Sequence, residues 1–201
     1  MLQIKSKYKI AKRLGAGVFE QTQTQKFALA EANSKPKKRA RGGGSDYGRQ
    51  LIEKQKVRFT YGLSEKQLSN YAEKAFRAKN PSEALHRALE SRADSAVYRA
   101  GFASTRRAAR QAVSHGHITV NGRRITSPSL AVKVGDKLSI REGNRNSPLY
   151  AGLSDKEGGR AVPQWMTIES GALTAEVVGE PQYTTIESGL DYATVFEFYS
   201  R

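Results

Sequence analysis

The sequence predicts an α+β protein: a mostly helical N-terminal domain, then a small module of helices packed on a short antiparallel sheet. Three observations carry this. Apolar residues recur at helical spacing in capped segments between residues 45 and 116. A strand-like alternation begins at His117 and turns at Asn121-Gly122, a dipeptide that supplies the positive φ of a tight hairpin. Short apolar runs separated by Gly and Pro follow as far as Val178.

Residues 1–44 read as a basic, irregular extension. Lys35-Pro36-Lys37-Lys38-Arg39-Ala40-Arg41 followed by three glycines cannot hold a packed helix, because like charges repel and each Gly costs about 1 kcal/mol there. Such a segment is either a disordered tail or an extension that orders when RNA phosphates neutralise it, and the charge of the whole chain favours the second. Ser45 and Asp46 are N-cap residues for a polar helix through Phe59, with Leu51, Ile52 and Phe59 as its apolar stripe. Ser64 with Gln67 forms a capping box, and Leu68, Tyr71, Ala72, Ala75 and Phe76 repeat as a core face. Asn80-Pro81 opens the next helix, which breaks near Ser91-Arg92 and resumes to Gly101.

Ser104 or Thr105 caps a further helix ending at Gly116. Arg106 and Arg110 share a face of it and Arg107 adjoins them, so three guanidiniums gather near a helix N-terminus, where peptide N–H groups also favour phosphate. His117–Val120 and Arg123–Thr126 make the hairpin, and residues 130–140 read as two more short strands around Gly135-Asp136. Trp165–Ile168 and Ala172–Val178 are strand candidates. Thr167-Ile168-Glu169-Ser170-Gly171 recurs as Thr185-Ile186-Glu187-Ser188-Gly189, read as two similar strand-to-turn endings. The aromatic stretch Val195–Tyr199 is expected to dock on a core.

The 201-residue chain carries a formal net charge of +15, unevenly spread. Residues 1–150 hold 31 basic and 11 acidic side chains, residues 151–201 hold 3 and 8. The first three quarters are therefore expected to bind a polyanion. Nucleic acid fits better than a membrane surface, because the basic segments lack the large apolar residues of an interfacial helix. The basic start has no apolar stretch of a secretory signal, and no run approaches the ~18 apolar residues of a membrane span.

Catalytic signals are missing. There is no Cys, hence no thiol nucleophile, Cys-ligated zinc or disulfide. No phosphate-binding GxxxxGK[ST] loop and no GxSxG elbow occurs. His115-Gly116-His117 lacks further ligands nearby for a metal. No cofactor, no metal and no enzymatic activity are expected.

Ser45-Asp46-Tyr47-Gly48, Glu53–Arg58 and Tyr61-Gly62-Leu63 resemble the signature helix of the bacterial small-subunit ribosomal protein four family. Ser91–Arg106 resembles the start of that family's RNA-binding module, and Ala109–Gly122 its helix-to-hairpin core. Tyr8, Arg13-Leu14-Gly15 and the final Phe196–Arg201 fit too. The match covers most of residues 1–142 and the last dozen. Ala93 stands where the family has a large apolar residue, residues 143–180 match poorly, and the four-Cys zinc site of some members is absent.

The resemblance implies a helical domain at 45–91 with 188–201 docking on it, and an RNA-binding module at 92–187 with its core at 92–142. It implies a cytoplasmic structural protein of the 30S subunit that binds the 5′ domain of 16S rRNA, nucleates assembly and contributes to translational accuracy. Implied neighbours are ribosomal proteins five and twelve and mRNA at the channel through which it enters. A stand-alone RNA-binding factor of the stress or ribosome-rescue type, using the same module, is the alternative. Candidate RNA-binding residues are Arg49, Lys54, Lys56 and Arg58 on the first helix. Around the helix–hairpin corner they are Ser104, Thr105, Arg106, Arg107, Arg110, Gln111, His115, Asn121 and Arg123.

Overall fold

The structure, a computed structural model, describes residues 4, 6–33, 45–150, 162–169 and 173–200. It divides into two units, Met1–Leu85 with Tyr183–Arg201, and His86–Gln182.

The first unit corrects the expectation of an irregular beginning. Helices α1 (Lys7–Leu14) and α2 (Gln25–Ala32) flank two 3₁₀ turns. Ala11, Leu14, Val18, Phe19 and Phe27 are buried together, with Ile4, Ile10, Ile52 and Phe59 packed against them. The apolar residues are sparse, but Ala11 and Leu14 lie three apart on one face of α1, and the turn at Gly15, φ 108°, starts the 3₁₀ segment that carries the buried Val18. The basic run 35–44 lies outside the described residues.

Helix α3 (Asp46–Thr60) starts where Ser45 Oγ accepts from Gly48 N. Its buried residues are Gln50, Lys54 and Val57. The expected stripe of Leu51, Ile52 and Phe59 is only partly buried. The reason is a second partner: α10 (Tyr192–Tyr199) covers the polar side of α3. Gln50 donates to Glu197 at 3.1 Å, and the hydroxyls of Tyr61 and Tyr192 lie 3.3 Å apart. Asp191 caps α10, accepting from Thr194 N and from its hydroxyl. Helix α4 (Glu65–Phe76) begins with the Ser64–Gln67 capping box, both bonds present. Leu68, Ala72 and Ala75 are buried, whereas Phe76 is exposed and its ring packs at a tilt on Phe196, 5.8 Å between ring centres.

The second copy of Thr-Ile-Glu-Ser-Gly also departs from expectation. Residues Thr185–Ser188 form a single helical turn, α9, stopped by Gly189 in the left-handed region at φ 61°. The first copy supplies a strand, β4 (Met166–Glu169), because there a neighbouring strand is available to pair with it.

In the second unit, α5 (Pro81–Glu90) ends, α6 (Ala93–Arg99) follows after a break at Ser91-Arg92, and α7 (Arg106–Ser114) comes next. Strands β1 (Ile118–Val120), β2 (Arg123–Arg124), β3 (Lys137–Ile140), β4 and β5 (Thr174–Val177) form one antiparallel sheet in the order β2-β1-β3-β5-β4. Asn121 and Gly122 make the hairpin turn at φ 50° and 76°. Ala96, Val97, Phe102, Ala109, Val113, Ile118, Leu138, Ile140, Ala175 and Val177 are buried in one core. Each large apolar side chain among them contributes about 1.5–3 kcal/mol of burial energy.

Residues 130–140 hold one strand, not two. Leu130 and Val132 turn their backbones to the start of α6: Ala93 N donates to Leu130 O and Val132 N to Ser91 O, each at 2.8 Å. That pairing takes the hydrogen bonds a sheet neighbour needs. A four-residue helical turn, α8 (Glu142–Arg145), follows β3.

Candidate nucleic-acid interface

Helix α7 is amphipathic, and its two sides carry different chemistry. Thr105 Oγ1 accepts from Ala108 N at 3.1 Å and fixes the first turn. Ala109 and Val113 face the core. Arg107, Gln111 and Ser114 lie on the opposite side and are exposed, as is His115 at the helix end.

The expected guanidinium triad is divided. Arg106 and Arg110 do share a face, but that face is turned inward. Arg106 Nη2 donates to Glu90 Oε1 at 2.9 Å, Nη1 to Ser95 Oγ at 3.3 Å, and its guanidinium sits 4.6 Å from the centre of the Tyr98 ring. Arg99 grips the same Glu90 through both carboxylate oxygens, at 2.7 and 3.0 Å. Arg92, fully buried, makes a two-pronged pair with Asp94 at 2.9 and 2.7 Å, and Asp94 also accepts from Ser95 N. Arg110 Nη1 lies 3.6 Å from Asp94 Oδ2, an ion-pair distance too long for a hydrogen bond. Two carboxylates thus meet four guanidiniums. Burial pushes His86, beside this cluster, below the ordinary imidazole range; Glu90 opposes the shift and Arg99 and Arg106 add to it.

Arg107 is the member of the triad that faces outward, and neither it nor Arg123 forms an ion pair among the described residues. Ser104 is exposed, while Thr105 serves as the cap. Asn121 is occupied by the fold: its amide donates to Asp136 at 2.8 Å and its carbonyl oxygen accepts from Lys137 N at 2.9 Å. The His117 ring nitrogen Nδ1 lies 3.0 Å from the Tyr150 hydroxyl. Burial, then the His115 and Arg124 charges, lower the His117 pKa.

The basic residues of α3 behave differently from a solvated row. Lys54 is buried, its Nζ 2.7 Å from Glu65 Oε1 and 4.2 Å from the centre of the Phe198 ring. Burial pushes the Glu65 carboxyl up, but hydrogen bonds from Lys54 and Tyr199 and the Lys54 and Arg58 charges leave it below its ordinary value. Lys56 pairs with Glu53, and Arg58 donates to Leu63 O and Gln55 Oε1, both at 3.3 Å. Arg49 is well exposed, 3.5 Å from Asp46. Sequence spacing identified these charges. Glu65, which takes Lys54 and Arg58, comes from α4, so spacing along α3 carried no sign of that pairing, whereas Glu53 stands three residues before Lys56 on α3 itself.

Residues 91–138, which hold this helix–hairpin corner, match the S4 domain, and residues 3–90 match the Ribosomal protein S4/S9 N-terminal domain. The fold is that of an S4-domain protein. The chain is 41% identical over 199 residues to a small ribosomal subunit protein uS4 of Roseiflexus sp. (strain RS-1), covering 96% of each chain. It is 39% identical over 199 residues to the protein of that name from Persephonella marina, covering 96% of this chain and 95% of the relative. Against the one from Borrelia recurrentis it is 36% identical over 200 residues, covering 98% and 96%. The chain belongs to the small ribosomal subunit protein uS4 family, which is structural and not enzymatic.

Proposed function

We propose that this chain is a structural component of the small ribosomal subunit that holds folded ribosomal RNA on the outward side of α7 and the adjoining hairpin. The observation that carries the reading is the contrast across α7. Arg106 and Arg110 are spent on Glu90 and Asp94, while Arg107 and, at the sheet edge, Arg123 are exposed without a described carboxylate partner. Folded RNA offers phosphates and shape more than readable base edges, since its A-form major groove is deep and narrow. A guanidinium fork pairs two phosphate oxygens at once, and each neutralised phosphate releases counterions. Gln111, His115 and Ser104 border the same corner and supply further hydrogen-bonding groups. Thr105, Arg106, Arg110 and Asn121 act by shaping it.

The finer reading rests on the family motifs in the sequence. The RNA is the 5′ domain of 16S rRNA, bound early so that it nucleates 30S assembly, and the protein contributes to decoding accuracy. Ribosomal proteins five and twelve are its neighbours, with mRNA at the channel where it enters, in cytoplasmic subunits. On α3, Arg49 is the residue available for RNA, whereas Lys54, Lys56 and Arg58 are engaged within the protein.

The test is quantitative recovery from salt-washed small subunits. One copy per subunit, together with direct binding to a transcribed 16S 5′ domain, supports the proposal. Absence from washed subunits, with RNA binding retained, replaces it with the stand-alone factor.

A further inference from the structure

Gly116 ends α7 at φ 73°, and the guanidinium of Arg124 lies directly over it. A Cβ at position 116 would stand 2.6 Å from Arg124 Nη2 and 2.7 Å from its Cζ. The same Nη2 donates to the carbonyl oxygen of His115 at 3.2 Å, across the negative end of the helix. The base of the side chain is fixed as well, because Arg124 pairs with Thr119 in the β1–β2 ladder at the edge of the sheet. Arg124 is therefore held at both ends, by a strand and by a helix terminus.

Arg124 is exposed and forms no ion pair among the described residues. The His115 and His117 rings stand 5.8 Å apart at the same corner. Arg123, next along the strand, and Arg107 on α7 are exposed and likewise without an ion-pair partner among the described residues.

We propose that Arg124 is a preoriented phosphate-binding residue whose guanidinium, laid across the side-chain-free Gly116, presents its open N–H edge to a phosphodiester of folded RNA. The inference rests on the RNA reading above and adds to it a residue and a mechanism. An arginine that is free in solution loses rotamer freedom when it binds; one already held by a strand and a helix end has lost it on folding. Gly116 then has two duties. It permits the left-handed backbone that stops α7, and it leaves the space in which the guanidinium rests.

The experiment measures binding of the full chain to transcribed 16S 5′-domain RNA across a salt series, with thermal unfolding of each variant in parallel. Arg124→Ala is expected to weaken binding about tenfold and to flatten the dependence of log K on log salt by about one. Arg124→Lys, which keeps the charge without the fork, should retain the slope and bind less tightly than the wild type. Gly116→Ala pushes the guanidinium aside, so it should weaken binding too, and the double variant should bind no worse than Arg124→Ala alone. Additive losses, or a lowered melting temperature with affinity and slope unchanged in Arg124→Ala, overturn the proposal and leave Arg124 as a helix cap. A wild-type chain that fails to bind the RNA overturns the RNA reading itself, and this inference with it.

Discussion

Arg106 Nη2 lies 2.9 Å from Glu90 Oε1, and Glu90 is 1% exposed. An arginine at the start of a helix in a strongly basic chain is thereby committed to the interior of its own unit. The pair ties the last turn of α5 to the first turn of α7 and sets the direction in which Arg107 points.

Glu90→Gln should destabilise the protein by roughly 3 kcal/mol, because it leaves Arg99 and Arg106 partly buried without their counter-charge. Urea unfolding followed by circular dichroism measures this. A loss under about 0.5 kcal/mol, the range of an ordinary surface change, would show that the cluster does not hold the helices together.

Arg107→Glu and Arg106→Gln should separate binding from folding. Arg107 is exposed, so its replacement should change stability by no more than about 0.5 kcal/mol while reducing RNA affinity and flattening the salt slope by about one or more. Arg106→Gln should lower stability first, with the salt slope of the folded protein nearly preserved. The reverse pattern in a paired binding and melting series would assign the contact to the inward face.

His86 imposes an acid limit. Burial lowers its folded pKa below the usual imidazole value of 6.5, so the unfolded chain takes up the proton first. The stability it contributes is complete above about pH 6.5, where both states are neutral, and declines as pH falls below that toward the folded value. His117, also lowered, acts in the same direction. Melting temperatures measured from pH 8 to 5.5 should fall on the acid side, and His86→Gln should make the fall shallower. A curve for His86→Gln parallel to that of the wild type contradicts this assignment.

Gly122→Val should cost about 2 kcal/mol, since Gly122 holds φ 76° and a β-branched side chain resists that region. Thermal unfolding tests it, and an unchanged melting temperature refutes the strained turn.

Lys54→Ala should loosen α10, because it removes the cation between Glu65 and the Phe198 ring and the stem that fills the gap. Lys54→Met keeps most of the stem and should be milder. Limited proteolysis near the C-terminus and a melting curve distinguish the two; equal behaviour of both would mean the charge, not the packing, decides.

Much was determined by the sequence alone, wherever the causes are local. The Ser64–Gln67 capping box, the break between α5 and α6, the Gly116 stop and the Asn121-Gly122 hairpin each depend on a few adjacent residues, and each stands where the residues put it. The order of motifs likewise carried the family resemblance, since it is a property of the chain before it folds. Tertiary structure decided what depends on partners distant in sequence. Thr-Ile-Glu became a strand at 167–169 beside β5, and the same three residues opened a helical turn at 185–188, where no strand among the described residues pairs with them. The helix at 46–60 buried Lys54 and Gln50 because α10 brought Glu197 and Phe198 to them across more than a hundred residues. The arginines of α7 divided because Glu90 and Asp94 are placed beneath one face by the packing of α5 and α6. A charge in the sequence has a sign and a position, but whether it meets water, a carboxylate or a phosphate is settled only when the other elements arrive.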